Sequence, residues 1–121
     1  EIESLLENWL ENKSKFLAGK GEIDLSKIVK SDLLKRLNEE RSNDLKKNIT
    51  KNINTEIQSI KYLDQSSSRI SVLAELKYSE KILNNNGDVV NTTTFSPFLR
   101  VKYILGYDAK SWKLVDYVSG M

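Results

Sequence analysis

From Phe95 to Val118 the chain reads FSPFLRVKYILGYDAKSWKLVDYV, two runs of alternating apolar residues joined by a short polar turn. Side chains of a strand point alternately to its two faces, so each run has the pattern of a half-buried strand and the pair predicts a hairpin. In the first run Phe95, Leu99, Val101, Tyr103 and Leu105 are expected on one face, with Phe98, Arg100, Lys102 and Ile104 on the other. In the second, Trp112, Leu114, Asp116 and Val118 alternate with Lys113, Val115 and Tyr117. Pro97, the sole proline, has no N–H to give to a ladder and belongs at a strand start or an edge.

Upstream of this hairpin, Ile70, Val72, Ala74, Leu76 and Tyr78 alternate with Arg69, Ser71, Glu75, Lys77 and Ser79, and Leu73 is the one exception on the polar side. Residues 55–63, TEIQSIKYL, predict a further strand of mixed pattern. Ser66–Ser68 and Asn84–Asp88 carry turn residues. Before residue 52 the period is helical. Ile2, Leu5, Leu6, Trp9, Leu10, Phe16 and Leu17 form one apolar stripe, with Glu early and Lys late, and Gly19-Lys20-Gly21 ends it. Asp24 opens a short second helix, DLSKIVK. Ser31 is expected as the N-cap of a third, whose core stripe is Leu33, Leu34, Leu37 and Leu45 and which ends near Asn48. Helices first and an antiparallel sheet last predict an α+β domain of roughly four strands around one core.

The composition removes several function classes. The chain has 121 residues, enough for one domain with a real core. It has no cysteine and no histidine, so neither a disulfide framework nor a Ser-His or Cys-His arrangement exists. The 19 basic and 17 acidic residues leave a net charge of +2. Residues 1–60 carry 11 of each sign, so there is no basic block of the kind nucleic-acid binders concentrate on one face. No apolar run approaches the ~18 residues that span a bilayer, so no direct membrane insertion is expected.

Each motif with a chemical reading has a plainer one. Asp116 could be a buried base, but an edge carboxylate paired with Arg or Lys fits its place better. Asn84, Asn86, Gly87 and Asp88 resemble part of a calcium loop, but the closing position is Phe95, which cannot ligate. Gly19-Lys20-Gly21 lacks the frame of a phosphate loop. No catalytic, cofactor-binding or metal-binding residue is therefore assigned. Phe98, Arg100, Lys102 and Tyr117 are candidates for an outward-facing set, since aromatics beside Arg are enriched at interfaces. Trp9 lies on a core stripe, with a rim position gripping a partner as the sharper reading.

Six runs carry a family resemblance. Asn8 to Gly19, containing Trp9, Lys13 and Leu17, is followed by Leu25 to Val29 and Leu33-Leu34-Lys35. Ile57 to Ile60 follows, and then Arg100 to Leu105 and Ser111 to Asp116 close the set. In order and spacing these resemble the intermembrane-space (IMS) domain at the C-terminus of chloroplast-division scaffold proteins and of their cyanobacterial cell-division counterparts. The likeness runs from about Ile2 to Tyr117. It departs at Gly19-Lys20, where the family has Gly-Pro, and around Leu37, where it often has tryptophan.

The resemblance implies a cone: helices on the concave side of a curved antiparallel sheet, as in nuclear-transport-factor-like or cystatin-like domains. It implies a non-catalytic module that binds a segment of a partner division protein. It also implies a membrane-anchored parent and a periplasmic or intermembrane-space position. Residues 1–121, which start at Glu1, are expected to be one domain of that longer protein. Two further readings stand beside this one: a small-molecule or enzymatic pocket between helices and sheet, and a homodimer through the sheet face.

Overall fold

The computed structural model describes residues 2–20, 24–90, 94–108 and 110–119. Two helices, Ile2–Leu17 (α1) and Ser31–Lys46 (α2), precede four strands, Ile49–Gln65 (β1), Arg69–Asn84 (β2), Thr94–Asp108 (β3) and Ser111–Ser119 (β4). The strands form one open sheet in the order β1-β2-β3-β4, each neighbouring pair antiparallel. The fold is α+β, as the order of periodicities predicts.

α1 buries Ile2, Leu6, Trp9 and Leu17, one stripe at helical spacing. Its end is set by Gly19, at φ 75. The Gly19 N–H donates to the Phe16 carbonyl at 3.1 Å and the Lys20 N–H to the Lys15 carbonyl at 3.0 Å, the paired bonds of a Schellman motif. Gly21, the other glycine of the expected terminator, lies outside the described residues. Partway along, the Ser14 hydroxyl donates to the Ile53 carbonyl at 2.6 Å and pins the helix to β1.

The short helix expected at DLSKIVK does not form. Asp24 accepts from the Ser26 N–H and hydroxyl, at 2.9 and 2.6 Å, and makes a turn. The Ser26 hydroxyl bond, then the backbone bond, holds the Asp24 carboxyl below the usual range. The chain then extends to join the sheet: the Leu114 N–H donates to the Ile28 carbonyl at 2.7 Å and the Lys30 N–H to the Leu114 carbonyl at 2.9 Å. Leu25 and Val29 are buried under it. This pairing also displaces the expected cap. Lys30, with extended backbone, precedes the first turn of α2 and supplies no side-chain cap, while Ser31 is already helical.

α2 buries Leu33 and Leu37, but Leu45 is 59% exposed and does not continue the stripe. Asp44 takes the inward place. It lies 3.5 Å from Lys51 on β1, which also donates to Glu40 at 2.7 Å. Asn48, at φ 57, provides the left-handed turn that stops the helix.

Three strands are bulged. In β1, Ile57 faces Leu76 but Ser59 faces Glu75, leaving Gln58 extra, and a second shift follows at Leu63. In β3, Leu99 faces Leu76 and Ser96 faces Tyr78, so Pro97 and Phe98 sit against Lys77 alone. In β4, Ile104 faces Asp116 and Leu105 faces Leu114, leaving Val115 extra. Each extra residue flips the face of everything beyond it. Phe95, expected on the core face, is therefore 60% exposed. Pro97 sits at the irregular start of its strand, where its missing donor costs least. The inner face, under the helices, buries Val72, Ala74, Leu76, Val101, Tyr103, Leu105 and Leu114.

Gly19→Ala should lower stability by about 1–2 kcal/mol, the cost of a left-handed non-glycine residue. A Cβ there would come close only to the end of the long Arg41 side chain, at 2.9 Å, with the Thr50 methyl at an ordinary 3.7 Å, so backbone strain rather than a clash sets the loss. Urea unfolding measures it, and Lys20→Ala should leave the midpoint unchanged.

Candidate functional site

β4 ends at Ser119, which pairs with Val101, so among the described residues no strand pairs with the side of Thr94–Arg100 away from β2. A groove of about 290 Å³ opens there between α1 and the inner face. Thr94, Ser96 and Leu99 line it from β3, with Tyr78, Tyr103 and Tyr117 from the sheet and Trp9 and Lys13 from α1.

Its floor is aromatic. The Trp9 and Tyr117 rings are 6.0 Å apart and tilted, and Tyr103 and Tyr117 are 6.2 Å apart. Such tilted pairs add to the burial of their area. Lys13 stands over this floor, its ammonium 5.5 Å from the Trp9 ring and 5.0 Å from the Tyr117 ring. It also donates to the Tyr117 hydroxyl at 3.3 Å. Among the described residues no carboxylate pairs with Lys13. Arg36, 5.6 Å from the Tyr117 ring, is already held by Asp116 at 2.9 Å. Asp116 is thus the ion-paired edge carboxylate expected of it, and its same oxygen accepts the Tyr117 N–H at 2.8 Å.

The five candidate residues fall on two surfaces. Trp9 is 1% exposed and belongs to the core, with one edge toward the groove. Tyr117 does not share a face with Phe98, Arg100 and Lys102; the bulge at Val115 turns it inward onto Trp9 and Tyr103. Phe98 is 71% exposed on the outer face, near Arg100, which lies 3.6 Å from Glu75. Lys102 is half-buried on that same face. Lys13 and Tyr78 were not singled out from sequence as site residues. The signal for Lys13 was its spacing, one helical turn after Trp9, which puts both on one side.

Burial pushes the Tyr103 hydroxyl well above its usual range, with Tyr117 adding to the effect. Burial likewise raises Tyr78, helped by its bond to Glu80 at 2.9 Å. Both stay protonated at neutral pH. Among the described residues no three acidic side chains converge as a metal site. The Asn84 side-chain oxygen instead accepts the Asn86 and Asp88 N–H groups and closes a turn. No helix among the described residues is long and apolar enough to cross a membrane.

An open antiparallel sheet with helices on one face, and an aromatic groove at its uncovered end, defines a two-layer α+β domain. The family described as "ARC6-like, IMS domain" matches residues 3–115, and the chain belongs to that family. Its fold is that of the crystal structure of the intermembrane space region of chloroplast protein ARC6. That match has a TM-score of 0.77 at 16% identity and covers 98% of this chain and 92% of that one. No curated protein matches the chain. Membership places it among division-protein domains rather than in an enzyme class.

The alkaline limb of stability follows from three raised groups. Desolvation pulls the Lys51 ammonium down, but the hydrogen bond and charge of Glu40, with Asp44 and Glu80, outweigh it and raise it above 10.5. The Tyr78 and Tyr103 hydroxyls are raised from 10.0. A raised folded-state value contributes stability that is complete below the unfolded value and is lost as pH climbs through the folded one. Urea midpoints should therefore be level below about pH 10 and fall above it. Tyr103→Phe should flatten that fall while changing neutral-pH stability by less than about 1 kcal/mol.

Proposed function

We propose that this is a non-catalytic interaction domain of a division scaffold, and that its groove receives a short segment of a partner division protein. The observation that carries this is the pairing of an aromatic floor with Lys13, a cation no carboxylate of the described residues satisfies. An apolar side chain on Tyr103, Tyr117 and Leu99, with an acidic group or free C-terminus at Lys13, would use both. Buried aromatics with a charged rim are what interface hot spots use.

The family adds the setting. In this reading the chain is one domain of a membrane-anchored parent and lies on the periplasmic side or its intermembrane-space equivalent. The bulged strands curve about α1 in the cone of nuclear-transport-factor-like domains. The small-molecule reading fits the groove less well, because the groove is open at one end and ligand sites bury most of their ligand's surface.

Calorimetric titration with the tails of partner division proteins tests the proposal. One tail should bind, and Lys13→Ala should weaken it about tenfold, equivalent to ~1.4 kcal/mol. Ser96→Arg, which fills the groove from a half-buried position on β3, should abolish binding while leaving the circular dichroism unchanged. If no division-protein tail binds, or if both variants bind as the parent does, the groove is not the site.

A further inference from the structure

The groove leaves unexplained the free edge of β1, along the flank of α1 that carries Glu7 and Glu11. The ladder between β1 and β2 is regular from Ile49 to Ile57. Ile82, opposite Lys51, turns its carbonyl away from β1 to accept the Val90 N–H at 2.9 Å. Backbone groups of an antiparallel strand alternate between its two sides, so Lys51, Ile53 and Thr55 turn theirs away from β2. Side chains close part of this edge. Arg41 donates to the Ile49 carbonyl at 3.3 Å and the Ser14 hydroxyl to the Ile53 carbonyl at 2.6 Å. The Ile53 N–H and both backbone groups of Thr55 have no partner among the described residues. They open onto a second groove, of about 440 Å³, between β1 and α1, with Leu10, Ile53 and Ile57 as its apolar lining.

Charge decides what fits. This second groove is lined by Glu7, Glu11 and Glu56 against Lys15 alone. Glu11 holds Lys15 at 3.1 Å, and among the described residues no cation pairs with Glu7 or Glu56. The surroundings keep the same sign. Glu3 stands one turn before Glu7 on α1. Opposite residues 53–57, β2 adds Glu80 and Lys77, one of each sign. Lys20 and Lys51 line a different depression past Ser14, where Lys51 is held by Glu40 and Asp44. Glu7 and Glu56 would repel a phosphate backbone or an anionic bilayer. A second copy docked edge to edge would set its own Glu7, Glu11 and Glu56 against these, at a cost in repulsion. An extended protein segment that alternates basic with aliphatic residues meets the carboxylates, the apolar lining and the unpaired backbone together.

We infer that the free edge of β1 is a second docking surface, which takes a short basic protein segment as a fifth strand of the sheet. It shares only Leu10 and Thr55 with the first groove. Strand addition draws affinity from main-chain bonds and specificity from alternate side chains. Here the segment's backbone meets Ile53 and Thr55. Its aliphatic side chains face Leu10 and Ile57, and its lysine or arginine side chains reach Glu7 and Glu56. The added strand is short, because Ser14 closes the edge at the Ile53 carbonyl and the bulge at Gln58 interrupts it beyond Ile57.

The probe is a short fluorescent peptide of alternating lysine and valine, blocked at both ends. Fluorescence anisotropy should show binding that weakens as salt rises. Glu7→Lys with Glu56→Lys should weaken it at least about tenfold, while Lys13→Ala, which disables the first groove, should not. Thr55→Pro removes an edge donor without taking a bond from the ladder with β2. It too should weaken binding about tenfold, with the circular dichroism unchanged. Methylating either the valine or the lysine nitrogens of the peptide should abolish binding in one version and spare it in the other, because a strand offers one side to its neighbour. Hydrogen exchange at the Ile53 and Thr55 amides should slow when the peptide binds. The inference is overturned if the peptide does not bind, if a glutamate-for-lysine version binds equally, or if the two methylated versions behave alike. It is likewise overturned if Thr55→Pro binds as the parent does, or if the bound peptide leaves exchange at Thr55 unchanged. Sedimentation showing that the free chain self-associates through this edge would also overturn it.

Discussion

Trp9 is the contact on which the rest of the molecule depends. It is fully buried on α1 and meets Tyr117 of β4, which meets Tyr103 of β3, so one side chain links the helix to the far half of the sheet. Removing a buried tryptophan side chain costs on the order of 3–5 kcal/mol. The ion pairs that span the same interface are half-exposed, Arg36 with Asp116 and Lys30 with Asp108, and exposed pairs contribute ~0–1 kcal/mol each. Apolar contact therefore holds the helical layer on the sheet, and the charges set its orientation. Tyr117 serves both ends of this arrangement. Its ring completes the core while its hydroxyl stays at the rim, where Lys13 reaches it.

How much of this could be read from the sequence depends on periodicity. The stripes of α1 and the even-numbered residues of β2 were plain because they repeat without interruption. The hairpin of β3 and β4 was equally plain as a hairpin. Its faces were not, because a bulge adds one residue without leaving any mark on composition, and alternation counted through it gives the wrong side. Phe95 and Tyr117 were both misplaced for this one reason, on strands whose existence was never in doubt. The first strand suffered more. Gln58 and Leu63 break its alternation twice, so only residues 55–63 looked like a strand, while its ladder with β2 extends from Ile49 to Gln65.

The helical half erred where tertiary pairing outweighed local preference. Val29 and Lys30 follow a helical spacing, yet bonds to Leu114 draw them into the sheet and move the start of α2. Leu45 looked like core because leucine usually is. The last turn of α2 instead lies over the half-buried Lys51 ammonium, so the inward place goes to Asp44, and a buried carboxylate beside a cation costs less than one without. The groove itself had no signature in the chain. Trp9 stands out on the α1 stripe and Lys13 does not, and Tyr78, Ser96 and Tyr117 converge on the two only once the strands are in register.

A single irregularity produces both uncovered surfaces. The extra residue at Pro97 and Phe98 places Thr94 and Ser96 in the groove and turns Phe95 to the opposite face, where Phe98 already lies. A regular strand would have placed Phe95 inward, where it would fill the space between α1 and β3. Proline at that spot matters for a second reason. Among the described residues no strand pairs with Thr94–Arg100 on the side away from β2, and bare edges invite pairing with other chains. A residue without an N–H, set in a bulge, breaks the run of donors that such pairing needs. The edge is thus poorly suited to accept a strand, while the side chains it positions on either face remain open to a partner.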